Sequence, residues 1–186
     1  WTGGWWTFDD FFRAYGEPTG LSLALGSDGQ PRVAYSWHSS TDIFEDNGLD
    51  FVVRSAAGWQ RTALYGGGEW VAIGAPALAL DATDAPQIAS GIYNEVSPPG
   101  GPPNSPPYSI VHFRNTPSGW ERAPLDEPGY SNDPPRVSLA LEPEGHPIVA
   151  YTAPSGNALK VASYNVSGWQ IEMVDPAGGG DMSLAL

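Results

Sequence analysis

Short runs in which leucine alternates with a small residue recur along the chain, each followed by turn-forming residues. Residues 22–25 read Ser-Leu-Ala-Leu, and the run returns as Ala-Leu-Ala-Leu at 77–80 and as Ser-Leu-Ala-Leu at 138–141 and 183–186. A period of two predicts a strand with one face against a core, and the small residues predict a cramped position. Asp28-Gly29 and Glu144-Gly145 then supply a turn, and Pro31, Pro86 or Pro147 opens the next segment, where a missing N–H does least damage. Second strands are predicted over 32–37, 87–92 and 148–153, and third strands over 50–55, 108–114 and 158–164. A fourth strand opens at each repeated Gly-Trp, namely Trp59, Trp120 and Trp169, and Gly4-Trp5 is the same landmark from a preceding unit. No stretch carries a 3.6-residue apolar period, so almost no helix is expected.

Four antiparallel strands per unit, led by a small-residue strand, predict an all-β fold. The arrangement expected is a β-propeller segment of four-stranded antiparallel blades, with three full blades and partial blades at both ends. In this reading residues 1–21 are the outer strand and connection of a truncated blade. Residues 22–76, 77–137 (with a Pro-rich insertion) and 138–182 are blades, and 183–186 begin a further one. The repeated Trp is expected to pack between neighbouring blades. A solenoid would favour parallel coils of shorter, more uniform period, against the hairpin-like turns here. Three blades do not make a ring. The expectation is therefore a longer protein, or a ring completed by another copy, because open edges and wet apolar faces invite association.

The run S-L-A-L-x-x-x-G-x-P-x-V-A-Y followed by S-G-W resembles the repeats of secreted bacterial β-propellers, loosely similar to the sialidase-like superfamily. The resemblance spans nearly the whole chain and implies a scaffold, not a reaction. The Asp-box S-x-D-x-G-x-T-W is absent, and Ser27-Asp28-Gly29 is a partial echo in a turn where Asp-Gly is ordinary.

Composition narrows the partners. The chain has 186 residues, no Cys, 8 basic against 21 acidic residues and a net charge of -13. A phosphate backbone or an anionic membrane surface would be repelled, so neither nucleic acid nor membrane insertion is expected. Disulfides, thiolate zinc sites and cysteine nucleophiles are excluded. No apolar run reaches the roughly 20 residues of a membrane-spanning helix. No starting Met or signal region is present, so the expectation is that sequence precedes Trp1. Acidic charge, absent Cys and a single lysine, Lys160, suit an extracellular or cell-surface location.

Strand direction alternates within a blade, so the 2–3 and 4–1 loops share one face. They are the long ones, at 39–49, 65–76, 96–107, 126–137 and 176–182, and long loops on a rigid scaffold concentrate binding residues. Trp37, Trp70, Tyr93 and Tyr130 map to that face as candidate platforms for a glycan, since aromatic rings stack on the apolar face of a pyranose. The competing reading has these rings covering blade junctions. His38 accompanies them, beside Ser39, Ser40 and Asp42, with no buried carboxylate to make a triad. In the acidic segment 41–50, Asp42, Glu45, Asp46 and Asp50 offer oxygens to Ca²⁺. The EF-hand template fails there, since Gly48 would place Ile43 at the first ligand position, and a solvated acidic loop is the alternative. Arg61 and Arg122 recur beside the repeated Trp and read as scaffold. Arg54 and Arg114 fall in third strands, which leaves Arg32 and Arg136 as weak candidates for a substrate carboxylate. The Pro-rich stretch 97–107 is a stiff insertion or a polyproline ligand. The function expected is a binding or structural module acting on a glycan or protein ligand. The alternatives are part of a sialidase-like carbohydrate-active enzyme and a self-assembling subunit.

Overall fold

The computed structural model describes residues 16–40, 45–55, 57–66, 72–93, 107–130, 134–153, 158–178 and 180–186. The Gly4-Trp5 landmark and the Pro-rich stretch up to residue 106 lie outside them. The described residues are all-β, with twelve strands in three sheets. The first sheet holds β1 (Glu17–Leu25), β2 (Pro31–Ser40), β3 (Glu45–Ser55) and β4 (Gly58–Gly66). The second holds β5 (Ala77–Leu80), β6 (Pro86–Tyr93), β7 (Pro107–Thr116) and β8 (Gly119–Tyr130). The third holds β9 (Val137–Leu141), β10 (Pro147–Ala153), β11 (Ala158–Asn165) and β12 (Gly168–Asp175). Each is an antiparallel meander in chain order, and none closes on itself.

The same two turns build every sheet. Between the first and second strands, the seventh residue after the start of the tetrad is left-handed in all three cases: Gly29 (φ 71°), Asp84 (φ 65°) and Gly145 (φ 83°). Each of these donates its N–H to the carbonyl three residues back, at Gly26, Asp81 and Glu142. Between the third and fourth strands, two-residue turns end at Gly58, Gly119 and Gly168, with φ of 100° to 112°, a conformation that carries no steric penalty only for glycine.

Two apolar layers separate the three sheets. Between the first and second lie Ala34, Leu49, Phe51, Leu78, Ile88, Val111 and Phe113. Between the second and third lie Ala89, Ile110, Leu125, Leu139, Val149 and Tyr151. A fully buried side chain such as Ile88 or Ile110 (both 0% exposed) contributes roughly 1.5–3 kcal/mol. The first strands touch in succession, β1 on β5 and β5 on β9.

The ladders run further than local pattern predicts. β2 and β3 stay paired to Ser40↔Glu45, so most of the predicted loop 39–49 is strand. β8 likewise runs to Tyr130, paired with Pro107. The acidic residues 46–50 are thus drawn into β3 opposite the polar end of β2.

Candidate functional site

A cleft of about 210 Å³ opens between the second and third sheets. It sits at the end that carries the short turns: Gly145 and His146 come from the β9–β10 turn, and Glu121 and Trp169 stand beside the β7–β8 and β11–β12 turns. Its floor is a tie across the junction. Gln87 Nε2 donates to the Gly145 carbonyl at 2.9 Å, and His112 Nε2 lies 2.9 Å from Gln87 Oε1. With the amide oxygen as acceptor, the imidazole is the Nε2–H tautomer. Burial, helped by the Arg114 charge, pushes the His112 pKa down to about 4, so the ring is neutral at physiological pH.

Two walls of different chemistry face each other over this floor. On the second sheet Arg114 Nη2 donates to Glu121 Oε2 at 2.8 Å, with both side chains about half exposed. The third sheet contributes three rings in an edge-to-face row, Tyr164 against Trp169 at 5.4 Å and His146 against Tyr164 at 6.5 Å, and Trp169 also meets His112 of the second sheet at 5.4 Å. One side therefore presents fixed donors and acceptors, the other an apolar aromatic surface.

The junction between the first and second sheets is built on the same frame and filled differently. Phe51 takes the place of His112 and meets Trp120 at 5.3 Å. Val53 and Gln60 stand where Arg114 and Glu121 do, counted from each Gly-Trp. Arg32 replaces Gln87; it bonds Asp28 at 3.2 Å and lies 3.8 Å from Asp84. Asp84 in turn accepts the Ser27 N–H at 3.0 Å and its hydroxyl at 2.6 Å. Charge pairs latch this junction, whereas in the next one the corresponding side chains frame a cleft.

Of the ligand and metal candidates read from the sequence, none of those that the structure describes lines the cleft. Trp37 is 8% exposed, with its ring packed on Gly48, where a Cβ would come within 2.4 Å of the indole. His38 Nδ1 lies 2.9 Å from Asn47 Oδ1 on the paired strand. Tyr93 and Tyr130 end β6 and β8 at the opposite end of the second sheet, and their side chains, with the whole of Trp70, lie outside the described residues. Among the metal candidates, Asp42 and the Glu45 side chain also lie outside them. Asp46 accepts the N–H of Asn47. Asp50 is fully buried, with Arg61 bonded to both its oxygens at 2.7 and 3.0 Å. Four residues apart on one strand, Asp46 and Asp50 are separated by roughly 13 Å, too far to share a cation. Among the described residues no group of three or more His, Asp or Glu is placed to hold a metal. The weak arginine candidates are engaged as well: Arg32 as described, and Arg136 with Asp181.

The cleft residues were within reach of sequence by another signal. Arg114 and Glu121 depart from the repeat at fixed offsets from Gly-Trp, where the other units have Val53 and Ser163, and Gln60 and Gln170. Position on a third strand masked Arg114, and recurrence assigned Trp169 to packing alone, although it both packs and lines the cleft.

No protein-family model matches the chain, and no curated protein matches it. Among solved structures, the chain is similar in fold to a fucose lectin from Kordia zhangzhouensis in complex with methyl-fucoside. The TM-score is 0.50 at 16% identity, over 82% of this chain and 97% of the lectin chain.

Proposed function

We propose that the chain is an extracellular, propeller-type glycan-binding module that holds one neutral monosaccharide unit in the cleft between its second and third sheets. The observation that carries this reading is the Arg114–Glu121 pair facing Trp169 and Tyr164 across about 210 Å³. A sugar ring presents hydroxyls on its edges and C–H groups on a face; the ion pair offers donors and acceptors to the first, the rings a stacking surface to the second. The volume is below the roughly 300 Å³ at which drug-sized pockets begin, which fits a single ring. A net charge of -13, with Glu121 and Glu142 close by, disfavours sialic or uronic acids.

The fucose lectin's fold supports the reading and makes methyl fucoside the first ligand to try. The enzyme alternative needs two carboxylates flanking the scissile bond. Among the described residues lining the cleft only Glu121 is acidic, and Arg114 engages it. Placement outside the cell rests on the acidic, cysteine-free composition.

Saturation-transfer NMR against methyl fucoside, galactoside, mannoside and glucoside tests the proposal. At least one neutral sugar is expected to receive saturation, and Arg114→Ala and Tyr164→Ala should each weaken its binding about tenfold or more. Transfer to none of these sugars, or binding unchanged in both variants, would remove the cleft from consideration.

A further inference from the structure

β12 carries Trp169, Ile171 and Met173 at alternate positions, and so on one face of the third sheet. That face looks toward the second sheet. Ile171 is paired with Ala162, which lies in the layer between the two sheets, and Met173 with Lys160, which reaches Asp126 of the second sheet. Ala162 is fully buried, yet Ile171 beside it is 44% exposed and Met173 57%. β5 and β9 pack together, and toward the outer strands β8 and β12 the sheets separate.

In the first junction the equivalent gap is closed by a stacked pair. Arg122, which takes the place of Ile171 two residues after the repeated Trp, lies 4.6 Å from the centre of the Tyr65 ring. Counted from Gly-Trp, the second sheet has Asp126 where the first has Tyr65. Asp126 is turned inward, accepting from Lys160 at 2.8 Å and from Tyr151 at 2.6 Å, and it lays no ring over Ile171. An apolar stripe therefore leaves the cleft at Trp169 and passes Ile171 to Met173, roughly 13 Å along the strand. Ala123 of β8 stands at its head, and the Lys160–Asp126 pair closes its far end.

We propose that this stripe is an aglycone subsite continuous with the sugar cleft, and that the ligand is a neutral glycoside bearing an apolar alkyl chain. The inference rests on the glycan-binding reading above. Trp169 belongs to both surfaces, so a sugar stacked on its ring places a linked chain against Ile171 and Met173. The occupant is alkyl, not a second sugar, because beyond Trp169 the described stripe offers no aromatic face and no hydrogen-bonding side chain before Lys160. Methionine is unbranched and adaptable, and moulds to a flexible chain. An anionic substituent is repelled by the net charge of -13. A free monosaccharide fills the cleft and leaves the stripe wet.

Titration calorimetry with methyl, butyl and hexyl glycosides of fucose, galactose, mannose and glucose, below micelle-forming concentrations, tests this. For a sugar that binds, each methylene reaching the stripe should tighten binding about twofold to threefold, so the hexyl glycoside should exceed the methyl by more than about tenfold. Ile171→Asp and Met173→Asp should each remove most of that gain and leave the methyl glycoside bound as before, since both side chains are exposed and tolerate a charge. With methyl-labelled methionine, the hexyl glycoside should shift the Met173 signal and the methyl glycoside should not. Equal affinity along the series, or a gain that survives both substitutions, overturns the aglycone subsite and leaves the sugar cleft standing. Self-association that Met173→Asp abolishes assigns the stripe to a second copy and likewise overturns it. Failure of every glycoside to bind removes the cleft and the subsite together.

Discussion

Lys160 Nζ donates to Asp126 Oδ2 at 2.8 Å across the junction of the second and third sheets, and Lys160 stands at the register position that Asp50 holds in the first. Each is paired across its ladder with a tyrosine, Tyr151 and Tyr35. The first and third sheets therefore share a polar knot at this register with the sign of one member reversed, whereas the second sheet has Val111 opposite Ser90. Asp50 finds its cation, Arg61, within its own sheet, whereas Lys160 finds its anion on the neighbouring one. Tyr151 adds a 2.6 Å bond to the same Asp126 oxygen. Burial works against the Asp126 charge, but the Lys160 ammonium and the Tyr151 hydroxyl outweigh it and hold the carboxyl below its usual range.

Lys160→Ala should loosen this junction. The variant leaves a partly buried carboxylate with the Tyr151 hydroxyl and the Glu127 N–H but no cation, and is expected to lose about 1–3 kcal/mol in urea unfolding at neutral pH. Because the folded pKa of Asp126 is depressed, its contribution is present above the unfolded value of 3.8 and fades as the pH falls through the folded one. The cost of Lys160→Ala should shrink accordingly in strong acid.

Arg61→Ala is expected to be the more damaging change. It leaves the Asp50 carboxylate, at 0% exposure, without its cation, and breaking a buried pair by removing one partner costs roughly 3–5 kcal/mol. The two unfolding curves, compared with that of Lys160→Ala, rank the knots.

His112 gives the protein an acid-sensitive stability in a defined window. Its folded pKa is about 4 against an ordinary value of 6.5, so between these values the unfolded chain binds a proton that the folded chain refuses. Stability should fall as the pH drops from 6.5 to about 4, by up to about 3 kcal/mol, and this slope should stop below that range. His112→Phe, which copies Phe51 in the first junction, is expected to flatten the slope in unfolding curves taken across that range.

Gly48→Ala places a methyl group against the Trp37 indole, within 2.4 Å of three of its atoms. Backbone or ring must shift, and the expected loss is about 1–3 kcal/mol, with a change in near-UV circular dichroism from the displaced ring. Ligand binding in the distant cleft should be unaffected.

The strands were legible wherever a local rule wrote them. Leucine alternation marks β5 and β9, the prolines mark the entry to β2, β6 and β10, and Gly-Trp marks β4, β8 and β12 within one residue. The start of β3 was not legible, because Asp46 and Asn47 have loop composition and become strand only through pairing with Ser39 and His38. Trp37 reads as an exposed platform in one dimension and is buried in three, since its cover is Gly48 on the adjacent strand. The cleft escaped for a related reason. Its walls come from two sheets, with Arg114 and Tyr164 fifty positions apart in the chain, and nothing local records which turn of one sheet will face which strand of the next.

The Gln87 amide, bonded to a carbonyl of the adjoining sheet, makes the floor of the cleft also a fastening between two layers. A sugar gripped by Arg114 on one side and Trp169 on the other would rivet those layers together, so its binding strength would report how firmly they cohere. Weakening the seam anywhere along its length should then blunt recognition, even at positions that no ligand atom reaches.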